Sequence, residues 1–231
     1  MTRMKKVLLF IFLVFAALAT VETWLLGYFP SVYWDKPWDA WVTDAYSGLP
    51  VEGAVVTANW ESEMPTLEGS RPGDEVRIME TVTDANGHFS LPAWGPGLVK
   101  QGHVDRVRNP KIMLLRRGYE IRMLRNSGFG EADWNATRVT MKPVGTSTLE
   151  RLQSWTDEYE YLMANPGECR WRLAPRTFAE FRRAQAVLSL PGVSPSEWNT
   201  PEQQLRKHGE YFRKAAGPDC PDPKRFLAEA K

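Results

Sequence analysis

Between residues 40 and 142 the apolar residues recur in short runs, many of them at alternate positions, and turn residues separate the runs. Such alternation is typical of strands with one buried face, and no helical period is sustained in this part of the chain. The pattern predicts seven strands, a number typical of a small β-sandwich. They are Ala40–Asp44, Ala54–Trp60, Val76–Thr83, His88–Leu91, Lys111–Arg116, Tyr119–Leu124 and Thr137–Lys142.

Turn residues set the limits of these strands. Ser47-Gly48-Leu49-Pro50 separates the first two, and Asp84-Ala85-Asn86-Gly87 contains an Asn-Gly step that accepts positive φ in a hairpin. Glu61–Asp74 and Pro92–Pro110 are rich in proline and glycine, so we expect two long loops there. Long loops in compact domains often carry function, which makes them the first places to search for a binding site.

Helical spacing replaces the alternation after Pro143. Ser147–Glu150 forms a capping box before a predicted helix that ends near Asn165. A second helix is expected to begin at Pro175, a third at Thr200, and a short turn at Asp222. The predicted fold class is therefore α+β, with a signal or anchor segment at 1–29, a seven-stranded β-sandwich at 40–142 and a helical C-terminal subdomain at 147–231.

The N-terminus has the pattern of an export signal. Arg3, Lys5 and Lys6 precede the apolar run Val7–Leu18, and Ala17-Leu18-Ala19 fits a cleavage site. Apolar residues resume at residues 24–29, so an uncleaved membrane anchor remains the alternative. Either outcome places the rest of the chain in the periplasm or cell envelope, and an uncleaved segment would make the inner membrane a partner. No cysteine lies next to the end of the run, which argues against a bacterial lipoprotein anchor.

Composition narrows the possible partners. The 29 basic and 28 acidic residues leave a net charge of +1, so the chain has no global field that would attract nucleic acid. The ten tryptophans are expected mainly in the core, with sugar stacking or a membrane interface as the alternative. In an oxidising compartment the two cysteines, Cys169 and Cys220, predict one disulfide. Two buried thiols are the other possibility.

Four ordered blocks of sequence resemble the carboxypeptidase regulatory-like, or transthyretin-like, domain family. They are Val42-Thr43-Asp44, Gly48-Leu49-Pro50-Val51-Glu52-Gly53-Ala54-Val55-Val56, Thr81-Val82-Thr83-Asp84-Ala85-Asn86-Gly87-His88-Phe89-Ser90-Leu91 and Gly118-Tyr119. The resemblance covers residues 40–142 and implies a transthyretin-like sandwich. The family is named after an accessory domain of metallocarboxypeptidases, so it implies no peptidase activity. The two long loops and the helical tail depart from the family pattern.

No catalytic centre, cofactor or metal site is predicted. The three histidines, His88, His103 and His208, lack the close His or Glu neighbours of a zinc peptidase, and the chain has no Gly-x-Ser-x-Gly motif. The candidate binding surface is a basic cluster with the loop residue His103. The cluster would suit anionic lipid headgroups or an acidic partner, or would simply be a solvated face. It consists of Arg116, Arg117, Arg122 and Arg125.

The function expected from these features is that of an exported, membrane-proximal, non-enzymatic binding or structural module, with an envelope protein or anionic molecule as a possible partner. The alternative is an enzyme of unrecognised type that uses His103 and Asp105 in the long loop.

Overall fold

The computed structural model describes residues 11–18, 31–66, 69–99, 106–107, 109–124, 135–144, 170–187 and 220–229. The described chain is mainly β, with few helices. Its strands are β1 (Ser31–Asp35), β2 (Trp38–Asp44), β3 (Val55–Thr66), β4 (Gly69–Val82), β5 (His88–Leu91), β6 (Trp94–Val99), β7 (Arg106–Val107), β8 (Lys111–Leu115), β9 (Arg122–Leu124) and β10 (Arg138–Met141).

The helices lie at the two ends of the chain. The described part of α1 spans residues 11–18, and its apolar side chains are exposed. A 3-10 helix (Arg170–Leu173) leads into α2 (Pro175–Val187), which begins at the predicted residue, and α3 (Pro223–Glu229) follows Asp222. The predicted helices after Ser147 and Thr200 lie outside the described residues. Within the described residues no helix is both long and apolar enough to cross a membrane.

The strands form three sheets. A three-stranded sheet has the order β10-β2-β5, and a larger sheet has the order β4-β3-β8-β9, with β7 paired to the far part of β3. β1 and β6 form a separate antiparallel ribbon. The pairing of β2 with β5 is antiparallel, whereas β10 runs parallel to β2. All seven strands predicted from alternation are present; most ends shift by no more than three residues, but β3 ends six residues later and β4 begins seven residues earlier than predicted.

An apolar core of described residues lies between the three-stranded sheet and the larger sheet. Its side chains come from β2, β3, β5, β8, β9, β10 and the turn before β3, and within a strand they are alternate residues, because successive residues point to opposite faces. The two sheets therefore form a β-sandwich. The core contains Trp38, Ala40, Val42, Val51, Ala54, Val56, Ala58, Trp60, Phe89, Leu91, Ile112, Leu114, Leu124, Val139 and Met141.

Both predicted long loops are corrected by the structure. Most of Glu61–Asp74 belongs to the extended β3–β4 hairpin, in which Glu63 pairs with Pro72 and Pro65 with Ser70. Pro92–Pro110 contains β6 and β7, and β6 pairs with β1, a strand that the sequence pattern did not predict. The prolines are tolerated because β4 is an edge strand and, beyond Glu63, β3 pairs with β4 alone.

Asp35 ties the β1–β6 ribbon to the sandwich. Its Oδ2 atom accepts hydrogen bonds from the indole nitrogens of Trp38 at 2.7 Å and Trp60 at 2.5 Å. The Trp60 ring also packs edge-on against Trp94 of β6, with centroids 5.8 Å apart. The buried indole N–H groups are thereby satisfied by one carboxylate, and the N-terminal strand is held against the core.

The outer face of the larger sheet is covered in part by α2. Thr57 of β3 hydrogen-bonds Thr177 through the two hydroxyls, and Glu80 of β4 accepts from the backbone nitrogens of Arg176 and Thr177 at 2.9 and 2.7 Å. At the other end, the buried Glu180 accepts from the backbone nitrogen of Arg117 at 2.7 Å. Two carboxylates therefore fix the position of the helix on the sheet.

Cys220 lies just before α3. It is buried, with 6% of its surface exposed, and it is not a free thiol. Phe226 of α3 packs edge-on against Trp171 and Phe178, at centroid distances of 4.7 and 5.3 Å. The predicted partner, Cys169, lies outside the described residues, so the Cys169–Cys220 disulfide stays a prediction.

Candidate functional site

The motif residues of the sequence blocks form the turns at one end of the sandwich. The Thr83 hydroxyl accepts from the backbone nitrogen of Ala54 and donates to the carbonyl of Val51. Asp84 accepts from the backbone nitrogens of Asn86 and His88 through one oxygen. These side chains satisfy backbone groups in tight turns, so their role is to shape the fold.

Asp44 and Tyr119 complete this turn region. Oδ1 of Asp44 accepts from the backbone nitrogens of Tyr46 and Ser47, each at 2.8 Å, and Oδ2 accepts from the Tyr119 hydroxyl at 3.0 Å. The bonds from the Ser47 and Tyr46 backbones are the main reason that the pKa of Asp44 is lowered. Burial and then Asp44 raise the pKa of Tyr119. This pair is therefore a structural link between β2 and the turn before β9.

A second group of polar residues is formed by buried side chains of the larger sheet. Lys111 Nζ is 2.5 Å from both carboxylate oxygens of Glu61, and their side chains are 12% and 1% exposed. Asn59 donates to Glu61 at 3.4 Å and to the buried Glu75 at 3.2 Å. Because a buried charge is tolerated only when it is paired, the Lys111–Glu61 ion pair stabilises this cluster, although the Asn59 Oδ1 and Glu75 Oε2 atoms accept no hydrogen bond from the described residues. The side chains are buried, so the cluster has almost no surface for a ligand.

The outer face of the three-stranded sheet differs from the turn region and from the buried polar cluster of the larger sheet. Along β2 the residues Trp38, Ala40 and Val42 are buried, whereas Asp39, Trp41 and Thr43 between them are not. The same alternation occurs in β5 and β10. The partly exposed residues of the three strands share one side of the sheet, and none of the described elements packs over them. We call this set the open face; it comprises Asp39, Trp41, Thr43, His88, Ser90, Arg138 and Thr140.

Trp41 lies at the centre of the open face because β2 is the middle strand. It pairs with His88 on β5 and with Arg138 on β10, which places three side chains in one row across the sheet. The Trp41 and His88 rings have centroids 4.8 Å apart at an interplanar angle of 42°. Asp39 Oδ2 lies 3.4 Å from His88 Nε2, and these two side chains are 37% and 32% exposed.

This arrangement provides an aromatic surface edged by hydrogen-bonding groups. Trp41 is 36% exposed, and its neighbours supply a carboxylate, an imidazole, a guanidinium and three hydroxyls. The strands hold their backbones rigidly, so the polar groups have fixed spacing around the ring. Such a surface can bind a ligand through stacking and hydrogen bonds.

The described residues of the predicted basic cluster differ in exposure. Arg116 is partly buried and donates to the carbonyl of Gly53 at 3.3 Å, whereas Arg117 and Arg122 are exposed in the turn and on β9. Arg125 and His103 lie outside the described residues. The basic surface therefore stays a prediction, with Arg116 also serving to fix the turn before β3.

Sequence reasoning did not find the open face. His88 was considered only as a metal ligand, and among the described residues no group of three or more His, Cys, Asp or Glu side chains could hold a metal ion. The available signal was the alternation in Ala40–Asp44, which places Trp41 opposite the core residues. The juxtaposition with Arg138 depends on a parallel pairing between distant segments, which the local pattern does not encode.

Comparison with known proteins adds no further assignment. No protein-family model matches the chain, and no curated protein is significantly similar to it in sequence. The resemblance to the carboxypeptidase regulatory-like family therefore rests on the four sequence blocks alone.

Proposed function

We propose that this chain is an exported, membrane-proximal, non-enzymatic binding module built on a transthyretin-like sandwich. The observation that carries the proposal is the open face, where Trp41 lies between His88 and Arg138. The cross-strand pair of Trp41 and His88 also stabilises the sheet, but a solvent-exposed aromatic ring with several polar side chains around it is the combination found at binding surfaces.

The fold assignment within this proposal has support from the turns. The motif residues Asp44, Thr83 and Asp84 each hydrogen-bond backbone or side-chain groups between consecutive strands, as the family pattern would require. Seven strands in the expected sequence order add to this support.

Proximity to a membrane is supported by β1, the strand that precedes the sandwich in the chain. Val32 and Trp34 on β1 are 50% and 73% exposed, and they follow closely on the apolar N-terminal segment. Tryptophan is favoured at the membrane–water interface because one end of its ring system is apolar and the N–H is polar. The ribbon would therefore face the lipid headgroups if the segment stays in the bilayer.

A catalytic role is the weaker candidate. The titratable groups of the turns and of the larger sheet take part in structural hydrogen bonds, and His103, the residue on which the enzyme hypothesis depends, lies outside the described residues. No observation in the described part of the chain favours catalysis over binding.

Two measurements test the proposal. Proteinase K added to spheroplasts should digest the chain, since an exported domain is accessible from outside; a chain that survives until the cells are lysed would place it in the cytoplasm. Diethylpyrocarbonate labelling of His88 should then be at least about threefold weaker in native envelopes than in purified protein. Tyr46, which is 80% exposed on a turn, is the internal control because the reagent also modifies tyrosine. Equal labelling of His88 in both samples would show that the open face is unoccupied.

A further inference from the structure

We infer that the ligand of the open face is an uncharged saccharide whose pyranose ring stacks on Trp41. The inference rests on the proposed binding function and assigns its ligand class. Three kinds of observation carry it: the position of the aromatic ring, the balance of charge around it, and the hydroxyl side chains beside it.

The ring of Trp41 is exposed at the middle of a sheet, where ligands can approach it from the solvent. One face of a pyranose ring presents several C–H groups and is apolar, so it packs against an indole through dispersion and C–H···π contacts. The tilted His88 ring, 4.8 Å away by centroid, packs against one side of the indole. A sugar would therefore stack on the part of the Trp41 ring that His88 leaves exposed, with the imidazole beside it.

The charges around Trp41 favour a neutral ligand. Asp39, two residues before Trp41 on β2, provides one negative charge, and Arg138, the neighbour of Trp41 on β10, provides one positive charge. An anionic ligand would meet the carboxylate and a cationic ligand would meet the guanidinium, whereas neither group repels a hydroxyl. A carboxylate accepts hydrogen bonds and a guanidinium donates them, so the two groups together suit a ligand that can do both, as sugar hydroxyls can.

The polar groups that surround the ring are also of the right kind. Ser90 on β5 and Thr43 and Thr140 on the other strands add hydroxyls that both donate and accept. The surface is a sheet face with no enclosing wall among the described residues, so it would hold one side of an extended oligosaccharide. Such binding is expected to be weak for each sugar unit, because a flat site buries little of the ligand.

The full-length protein labelled with 5-fluorotryptophan gives a direct test. The ¹⁹F signal of Trp41 is identified by its absence in Trp41→Phe, and Trp34, which lies on the β1–β6 ribbon, serves as the internal reference. Titration with cellotetraose, chitotetraose and maltotetraose should shift the Trp41 signal saturably for at least one of the three, and leave the Trp34 signal in place. Inorganic phosphate and tetraglutamate should leave both signals unchanged.

Variants separate stacking from a general loss of structure. Because both Trp41 variants lack the reporter signal, binding of the active tetrasaccharide to wild type and variants is compared by isothermal titration calorimetry. Trp41→Ala should weaken this binding at least about tenfold, whereas Trp41→Phe, which keeps an aromatic face, should lose less. Tyr46→Ala removes an exposed aromatic ring away from the open face and should bind as the wild type does. Equal thermal unfolding of the three variants, followed by ¹⁹F spectra, establishes that each is folded.

Several results would overturn the saccharide assignment. They are the absence of any saturable Trp41 shift with the three tetrasaccharides, a shift with phosphate or tetraglutamate instead, and equal affinity of Trp41→Ala and wild type. If His88 is nevertheless protected in native envelopes, the binding function stands and its ligand belongs to another class. If His88 is unprotected as well, both proposals are wrong.

Discussion

Gly87 shows how one residue can determine the geometry of a turn. It has a φ of +72° in the β4–β5 turn, and its carbonyl accepts a 2.7 Å hydrogen bond from the backbone nitrogen of Val42. A Cβ atom at this position would lie 2.2 Å from the Val42 carbonyl oxygen. Gly48 has nearly the same φ, +69°, but nothing lies within 4 Å of its added Cβ. Comparing substitutions at these two glycines therefore distinguishes the cost of backbone strain from the cost of steric overlap.

We predict that Gly87→Ala destabilises the sandwich more than Gly48→Ala does. Both substitutions force a side chain into the left-handed region, which costs about 1–2 kcal/mol. The overlap with a backbone carbonyl should add roughly 1–3 kcal/mol for Gly87→Ala alone. Urea unfolding of the two purified variants measures the difference. Equal free energies of unfolding would mean that the turn moves to accept the methyl group.

At the residue scale, sequence reasoning succeeded for groups that act locally. The Asn86-Gly87 step indicated a positive-φ turn, because its conformation depends on those residues themselves. Trp41 and Arg138 were not connected, since their contact depends on which strands pair. Alternation indicated which face of β2 Trp41 occupies, but it contains no information about the neighbouring strands.

At the scale of elements, Glu80 links a strand to a helix. It accepts from the first backbone N–H groups of α2, which have no partner within the helix, and from the Thr177 hydroxyl at 2.5 Å. Burial raises the pKa of Glu80, although the bonds from Thr177 and Arg176 and the charge of Arg176 oppose the shift. Ionised Glu80 is therefore less favourable in the folded state than in the unfolded chain.

This shift predicts a pH dependence of stability. Because the folded pKa of Glu80 lies above its unfolded pKa, its contribution to stability is fully present below about pH 4.5 and declines as the pH rises through the folded pKa. The free energy of unfolding of wild type relative to Glu80→Gln should therefore decrease between about pH 4 and pH 7. Chemical unfolding across this range measures it, and Glu52→Gln in an exposed turn corrects for the loss of one carboxylate. A difference that grows with pH would contradict the assignment.

The sequence pattern missed strands in both predicted loops, and the physical reason is the same in each. Proline and glycine were taken as strand breakers in Glu61–Asp74 and Pro92–Pro110, which holds where both edges of a strand must pair. β4 needs only one partner, and β6 pairs only with β1. Composition alone cannot distinguish such an edge strand from a loop, whereas the helix start at Pro175 was predictable because it depends on adjacent residues.

At the scale of the whole molecule, the predicted disulfide joins two parts of the C-terminal region. A Cys169–Cys220 bond would close a loop of about fifty residues, for which chain entropy gives roughly 4 kcal/mol. Phe226 packs against Trp171 and Phe178, so the segment after Cys220 is already in contact with the region near α2. The bond would strengthen that contact without involving the sandwich core.

Reduction should therefore loosen α3 and α2 before the sandwich. We expect the backbone amides of residues 224–229 to exchange with deuterium faster in dithiothreitol, while those of β2 and β8 keep their protection. A Cys169→Ser/Cys220→Ser variant should exchange like the reduced protein whether or not reductant is present. Two reactive thiols in unfolded, unreduced protein from envelopes would show that the bond is absent.

The parallel pairing of β2 with β10 determines when the open face is complete during synthesis and export. Trp41 lies beside Arg138, which follows it in the chain by roughly a hundred residues. A chain exported from its N-terminus would deliver Trp41 and His88 early, yet the third member of the row would arrive only after most of the sandwich had emerged. Long-range pairings of this kind also form slowly. A chain still in transit therefore cannot hold a ligand across the full row, so occupancy of the open face would report that translocation is complete.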